Sequence, residues 1–376
     1  MKVDHLEIFE VAASHRGNWI LVRLRTDAGL SGLGEASQSG DDAGTVALLK
    51  RLGTLLEGED PTTVEALWQK AAGDPGIADG GVPGATALGA VDQALWDIAA
   101  QAQGQPLWRF LGGNGDRARI PLYANLNRGT RDRSSSGFAE AAKRAVVAGF
   151  KAVKSTPFDE VHNTGQHNTG QHGAGIVAAA EAGLDRLRAT RAAIGADIEL
   201  LVDCHQRFDL ESAMEIARRV EPLDLYWLEE PVPDGDVEAL RQLVRESGQR
   251  IAGGEGIHEP ERFSEYIDGP AVHVLMPDVK QAAGLTPCRR VAAQANEAGI
   301  PISPHNPSGP VSTMASAHLA AASDNFLCLE YAFGEVEWRH QLVAPQERVI
   351  DGHIELSEAA GLGLEFDEAV LAAHRV

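Results

Sequence analysis

Asp203 in IELLVDCHQRF, Glu229 in LYWLEEPVP and Glu255 in RIAGGEGIHEP each close an apolar run, and they follow one another at equal steps of 26 residues. A step of that length holds one strand and one helix. The three carboxylates should therefore recur at equivalent positions of successive βα units and meet at the C-terminal rim of a parallel barrel, where such folds place their chemistry. Oxygen-only ligands suit a hard divalent cation such as Mg²⁺, with open positions for substrate oxygens and water. A single acid at a strand end is ordinarily a cap for the helix that follows. Three in register, two of them running into Pro or Gly turns, point instead to a metal site.

The remaining strand ends supply a second set. Lys154 closes FKAVKST, Asp278 closes VHVLMPD, His305 closes PISPHN and Glu330 closes LCLEYA. His205 lies two residues beyond Asp203, and strand alternation predicts that both face the same way. Asp278 and His305 fall on successive strands, so the carboxylate can orient the imidazole and stabilise its charge as a general base. A lone barrel histidine is equally well read as structural, but this pair stands beside three metal-type acids. Lys280, two residues beyond Asp278, is read as its salt-bridge partner.

The elements that must position these groups are legible in the pattern. KVDHLEIFEV and WILVRLRTDAGLSGLGEA alternate apolar and polar residues around a DAG turn, as strands of a half-exposed antiparallel sheet do. AGTVALLKRLGTLL, PTTVEALWQKAA and ATALGAVDQALWDIAAQAQG carry apolar residues at helical steps, the last ending at Gly104. From about residue 120 the rhythm becomes strand and helix in alternation. The expected strands are IPLYAN, FKAVKST, IELLVDC, LYWLEEP, RIAGGEG, VHVLMPD, PISPHN and LCLEYA, with helices such as SAMEIARRV and TPCRRVAAQANEAG between them, and eight strands close a barrel. The division expected is a capping domain over 1–119, a barrel over 120–340, and a tail over 341–376 that packs back on the cap.

One internal repeat, NTGQHNTGQH at 163–172, follows the second barrel strand. With His162 it spaces His162, His167 and His172 five apart, which puts them on no common helix face, and its Gly and Asn content favours a lid-like loop over a metal site.

At 376 residues the chain can fill a large core. No apolar run reaches the length of a membrane span and MKVDHLEIFE lacks the regions of a secretory signal, so a cytoplasmic location is expected. Cys204, Cys288 and Cys328 are odd in number and widely spaced, which speaks against a disulfide framework and against zinc spacing. The formal net charge of −21 argues against binding nucleic acid or an anionic membrane. It leaves room for an anionic substrate, because a divalent cation and a lysine can reverse the potential locally. The expected partners are a small anionic carboxylate and further copies of the chain in a homo-oligomer.

Taken in order, ALWDIAAQAQGQPLWRFLGG, LLVDC, WLEEP, IAGGEG, MPDV, SPHN and CLEYA resemble the mandelate racemase subgroup of the enolase superfamily, nearly from end to end. The resemblance implies a modified (β/α)7β TIM-type barrel, in the α/β class, under an α+β N-terminal capping domain. It implies Mg²⁺ held by Asp203, Glu229 and Glu255, with Glu230 a neighbour and not a ligand. His305 with Asp278 becomes the base dyad and Glu330 a hydrogen-bonding partner of the substrate carboxylate. The implied chemistry begins with removal of the proton next to that carboxylate, and a divalent cation counters the second negative charge as it develops.

The chain departs from the subgroup at one point. Racemases carry Lys-x-Lys at the end of the second strand, whereas this chain reads Lys154-Ser155-Thr156, and Thr156 is no base near neutral pH. Loss of a second-face base favours β-elimination over racemisation. Acid-sugar dehydratases of the family carry a His two residues after the first metal ligand, as His205 is here, and it could protonate a departing hydroxide. The leading expectation is thus a Mg²⁺-dependent dehydratase, a hydro-lyase, acting on a sugar acid or a 3-hydroxyproline-like acid. Lys154 would serve as an electrostatic partner of the substrate carboxylate or as a base by default. The alternatives are a racemase or epimerase using His305 with Lys154, and a catalytically silent barrel, against which the intact ligands and dyad argue. The cap loops HRGNW at 15–19 and SQSGDD at 37–42 are expected to set specificity.

Overall fold

A computed structural model describes residues 1–113, 118–162 and 174–376. The N-terminal strands β1 (Val3–Ser14), β2 (Gly17–Thr26) and β3 (Ser31–Glu35) form an antiparallel sheet in that order. Its buried face, which includes Val11, Ile20, Val22 and Leu24, packs on helices Asp42–Leu56 and Gly81–Ala102. The second helix is buried from Thr86 to Ala100 because it is sandwiched between the sheet and the barrel. Its approach to β3 is so close that a Cβ at Gly32 or Gly34 would lie 2.0 or 1.9 Å from the Ala94 or Ala90 carbonyl oxygen, which no side chain permits. Toward the barrel, Asp92 accepts from the Thr286 amide and hydroxyl, and Trp96 Nε1 donates to Thr286 Oγ1.

The barrel strands are β4 (Arg119–Asn125), β5 (Ala152–Ser155), β6 (Glu199–Asp203), β7 (Leu225–Glu229), β8 (Ile251–Gly253), β9 (Val274–Leu275) and β10 (Leu329–Ala332). They pair in parallel from β4 to β9, and β10 pairs β4 on its other side. Amphipathic helices such as Leu210–Val220 and Val237–Glu246 cover the outside.

PISPHN, expected as the seventh strand, is held by single parallel bridges at Ile302, to Leu275 on one side and Phe326 on the other. Pro301 and Pro304 flank that residue, and each lacks the N–H that a longer ladder requires. The segment still completes the ring between β9 and β10, so the (β/α)7β barrel under an α+β cap is the observed architecture.

The tail divides its contacts. His353–Glu355 pairs antiparallel with β4, while Arg375 bridges Val11 and Phe366 meets Phe9 edge-on on the N-terminal sheet. The repeat at 163–172, including His167 and His172, lies outside the described residues, and His162 is exposed. All three cysteines are free and buried. Among the described residues no helix is long and apolar enough to cross a membrane.

Candidate active site

β5, β6, β7 and β10 deliver Lys154, Asp203, Glu229 and Glu330 to one rim, and Glu255 follows β8 by two residues. Asp203 and Glu229 are direct partners in the parallel register. One oxygen from each of Asp203, Glu229 and Glu255 falls within 4.8 Å of the others. That span matches ligands disposed around one ion with metal–oxygen distances of about 2.0–2.6 Å. The three acids named from spacing alone therefore converge.

Lys154 is placed at the centre of this cluster. Its Nζ is 2.5 Å from Glu229 Oε1, 3.0 Å from Glu330 Oε1, 3.7 Å from Asp203 Oδ2 and 4.0 Å from Glu255 Oε2. Burial works against its charge, but Glu229 and Glu330 outweigh it and hold the ammonium well above the usual lysine range. In this arrangement the Lys154 ammonium is paired with Glu229 and Glu330.

Four carboxylates to one ammonium leave the buried site short of positive charge. Burial, with Asp203 and Glu330 adding to it against Lys154, pushes the Glu229 carboxyl up, and burial with Glu230 pushes Glu255 well up. Glu255 Oε2 is buried without a hydrogen-bond partner. An orphaned carboxylate oxygen and an all-oxygen donor set are what a hard divalent cation satisfies, so these residues fit Mg²⁺.

On the neighbouring rim, Asp278 Oδ2 lies 2.8 Å from His305 Nδ1. Asp278 also accepts from Lys280 Nζ at 2.8 and 3.0 Å and from the Lys280 amide at 2.7 Å, the salt bridge expected of that pair. Burial raises the Asp278 carboxyl, but Lys280 and His305 prevail and keep it far below its ordinary value. An ionised Asp278 holds the proton on Nδ1, which leaves the Nε2 lone pair free. Nε2 faces the acids, 3.5 Å from Glu255 and 3.8 Å from Glu330.

His205 reaches the site by a different route from the one strand alternation suggests. β6 ends at Asp203, and the chain turns through left-handed conformations at His205 and Gln206, with φ of 48° and 58°. The turn is fixed by the His205 amide, which donates to Asp203 Oδ1 at 2.8 Å, and it swings Nε2 back to 2.9 Å from Asp203 Oδ2. Thr156 is buried beside it, its hydroxyl donating to Asp203 Oδ2 at 3.3 Å. Against burial, His205 and Lys154 hold the Asp203 carboxyl well below the usual range.

Residues 137–370 match the enolase C-terminal domain-like family, and residues 8–112 match the mandelate racemase/muconate lactonizing enzyme N-terminal domain. The chain belongs to the mandelate racemase/muconate lactonizing enzyme family of the enolase superfamily. Among curated relatives, D-xylonate dehydratase of Haloferax volcanii is 31% identical over 364 residues, covering 95% of this chain and 85% of that protein. D-gluconate dehydratase of Thermoproteus tenax is 32% identical over 358 residues, covering 95% and 69%. A solved mandelate racemase/muconate lactonizing enzyme-like protein from Rubrobacter xylanophilus superposes with a TM-score of 0.90 at 35% identity, over 100% of this chain and 98% of the other.

Within this family fold, several supports of the site escape a reading of strand ends for charged groups. Asn125 closes β4, between β10 and β5, and donates to Glu330 Oε1 at 2.6 Å, while the Asn306 amide donates to Glu330 Oε2 at 2.9 Å. Trp227 Nε1 donates to Glu229 Oε2 at 2.8 Å. These contacts fix the carboxylates that frame the site. Asn125 closes IPLYAN as the acids close their own strands, so that signal was present in a neutral residue. The cap loops reach the same rim: Gln38 Nε2 donates to the Pro307 carbonyl at 2.5 Å, and Arg16 donates to the Asn127 carbonyl at 3.3 Å.

Proposed function

We propose that this protein is a Mg²⁺-dependent dehydratase of sugar acids, in which Asp203, Glu229 and Glu255 hold the ion. When bound, the ion supplies positive charge against the substrate carboxylate as that group gains a second negative charge. His305 Nε2, with Nδ1 anchored on Asp278, accepts the proton on the carbon next to the carboxylate. Lys154, itself held in place by Glu330, binds and orients the carboxylate from the β4 side. His205, 40% exposed in its side chain and therefore bordering the open space before Asp203, gives a proton to the departing hydroxyl on the adjacent carbon. The C–H and C–O bonds break, a carbon–carbon double bond forms, and water leaves.

The observation that carries this reading is the pairing of functions around Asp203. A histidine occupies the leaving-group side, and Thr156 stands where a second base would have to be. With Thr156 at that position, the opposite face lacks the second lysine that proton exchange there would use, which argues against the racemase reading. The dehydratase names of the relatives support sugar acids over cyclic hydroxy amino acids. The test is incubation of the Mg²⁺-loaded protein with a library of sugar acids and 3-hydroxyprolines, monitored for keto-acid product. Turnover of the hydroxyprolines alone would overturn the substrate class, and racemised acid without loss of water would overturn the reaction.

A further inference from the structure

A cavity of about 540 Å³ opens from His205 and Thr156 outward to the cap loop that joins β1 and β2. Four arginines line it, Arg16, Arg131, Arg133 and Arg207, against a single carboxylate, Asp159. That carboxylate is already engaged, because Arg133 donates to both of its oxygens at 2.8 Å. Arg133 is further committed to Asn127 Oδ1 and the Thr156 carbonyl. Among the described residues the other three form no ion pair: the Arg207 guanidinium donates to the Phe158 and Val161 carbonyls, that of Arg16 to the Asn127 carbonyl, and Arg131 is exposed. Burial, with the nearby Arg128 and Arg133 adding to it against Glu335 and Asp159, holds the Arg16 guanidinium below its ordinary value.

In a chain of net charge −21, a cavity wall with four guanidiniums to one carboxylate needs an explanation. Like charges crowded in a partly buried space are costly unless an anion joins them, and the guanidinium fork matches carboxylate and phosphate. The cavity is continuous with the reaction site, since His205 and Thr156 belong to both. A substrate held by one carboxylate at the metal triad would send its far end toward Arg16 and Arg131.

We infer that the substrate is a dianion: a polyhydroxy acid bearing a second anionic group, a carboxylate or a phosphate, at the end remote from the reacting carbon. This rests on the dehydratase reading only in placing the first carboxylate at the triad. The plain aldonates named for the relatives lack that group, so a preference for a dianion would set this chain apart from the substrates those names give.

The experiment compares aldonates, aldarates and terminally phosphorylated aldonates as substrates of the Mg²⁺-loaded enzyme. In parallel, calorimetry measures binding of simple mono- and dicarboxylates that cannot eliminate water. The expected result is at least about a tenfold higher kcat/KM for a dianion than for the aldonate of the same configuration, with matching selectivity in binding. The aldarate and phosphate arms identify which anion is preferred. Arg131→Gln, at an exposed side chain with no salt bridge, and Arg16→Gln should each collapse the dianion-to-monoanion ratio, mainly through KM, and added salt should compress it. Equal kcat/KM and equal affinity for mono- and dianions would overturn the inference and leave the dehydratase reading standing. Dianion-selective binding without loss of water from any acid would overturn the dehydratase reading and leave the anion site.

Discussion

His305 Nδ1 meets Asp278 Oδ2 at 2.8 Å, while His305 Nε2 points at the space bounded by Glu255 and Glu330. That division of the ring assigns the base, and His205 on the Asp203 side is assigned the acid. The two roles separate in deuterated water. His305→Asn should abolish both proton exchange next to the carboxylate and loss of water, by roughly a hundredfold or more. His205→Asn should keep exchange while elimination falls by a comparable factor. Equal loss of exchange in the two variants would show that the assignment of acid and base is wrong.

Glu229 touches both a cation and an indole, through Lys154 Nζ at 2.5 Å and Trp227 Nε1 at 2.8 Å. Glu229→Gln keeps an acceptor for the indole but removes one of the three charges that would hold the ion. Mg²⁺ affinity, read by calorimetry, should fall at least about tenfold and turnover roughly a hundredfold. Far-ultraviolet circular dichroism should show the fold retained, since Glu330 still faces Lys154. Unchanged Mg²⁺ affinity would remove Glu229 from the ligand set.

His318 joins three parts of the chain from inside the helix Pro310–Ala321. Its Nδ1 accepts from the Trp108 amide at 3.0 Å, and Nε2 faces the Leu362 carbonyl at 3.2 Å, a pattern that requires the neutral ring with its proton on Nε2. Burial, opposed by Leu362, lowers its pKa from 6.5 to about 4. Between those values the unfolded chain binds the proton and the folded chain does not, so stability rises with pH. The contribution is fully present above about pH 6.5 and is lost as pH falls toward 4, an effect of order 3 kcal/mol. Asp92, pushed up to about 7 by burial, acts with the opposite sign over part of the range. The quantity to read is thus the difference in unfolding free energy between wild type and His318→Asn, which should shrink from pH 7 to pH 4. A pH-independent difference would mean that His318 is not the group responsible.

The acids and the dyad were legible because each lies within three residues of the end of its strand or bridge, and parallel strands necessarily bring such ends together. Other features were not. PISPHN reads as a strand by its position, but its prolines reduce it to single bridges at Ile302. His205 reaches the site through a left-handed turn that no alternation rule describes. The arginine cavity draws Arg16 from the cap, Arg131 and Arg133 from the segment after β4, and Arg207 from beyond β6. Scattered arginines of this kind carry no spacing signal until the barrel closes and the cap descends on it.

Thr156 decides which product leaves. Its hydroxyl donates to Asp203, Lys154 beside it is paired with Glu229 and Glu330, and no other lysine is assigned to that face. An intermediate formed by His305 can therefore expel its leaving group or regain a proton from the side that lost it. In deuterated water the unaltered enzyme should give dehydrated product with less than about one part in ten of epimer, read by proton NMR. Thr156→Lys would set a second amine next to Lys154, whose charge depresses the pKa of the newcomer toward a usable range. Because the position is buried, the gain depends on the new side chain finding the cavity beside His205, and a misplacement of about an ångström can cost a hundredfold. A rise in the epimer-to-product ratio of the variant, at whatever absolute rate, is the expected outcome. Abundant epimer from the unaltered enzyme would contradict the elimination reading and return Lys154 to the role of second base.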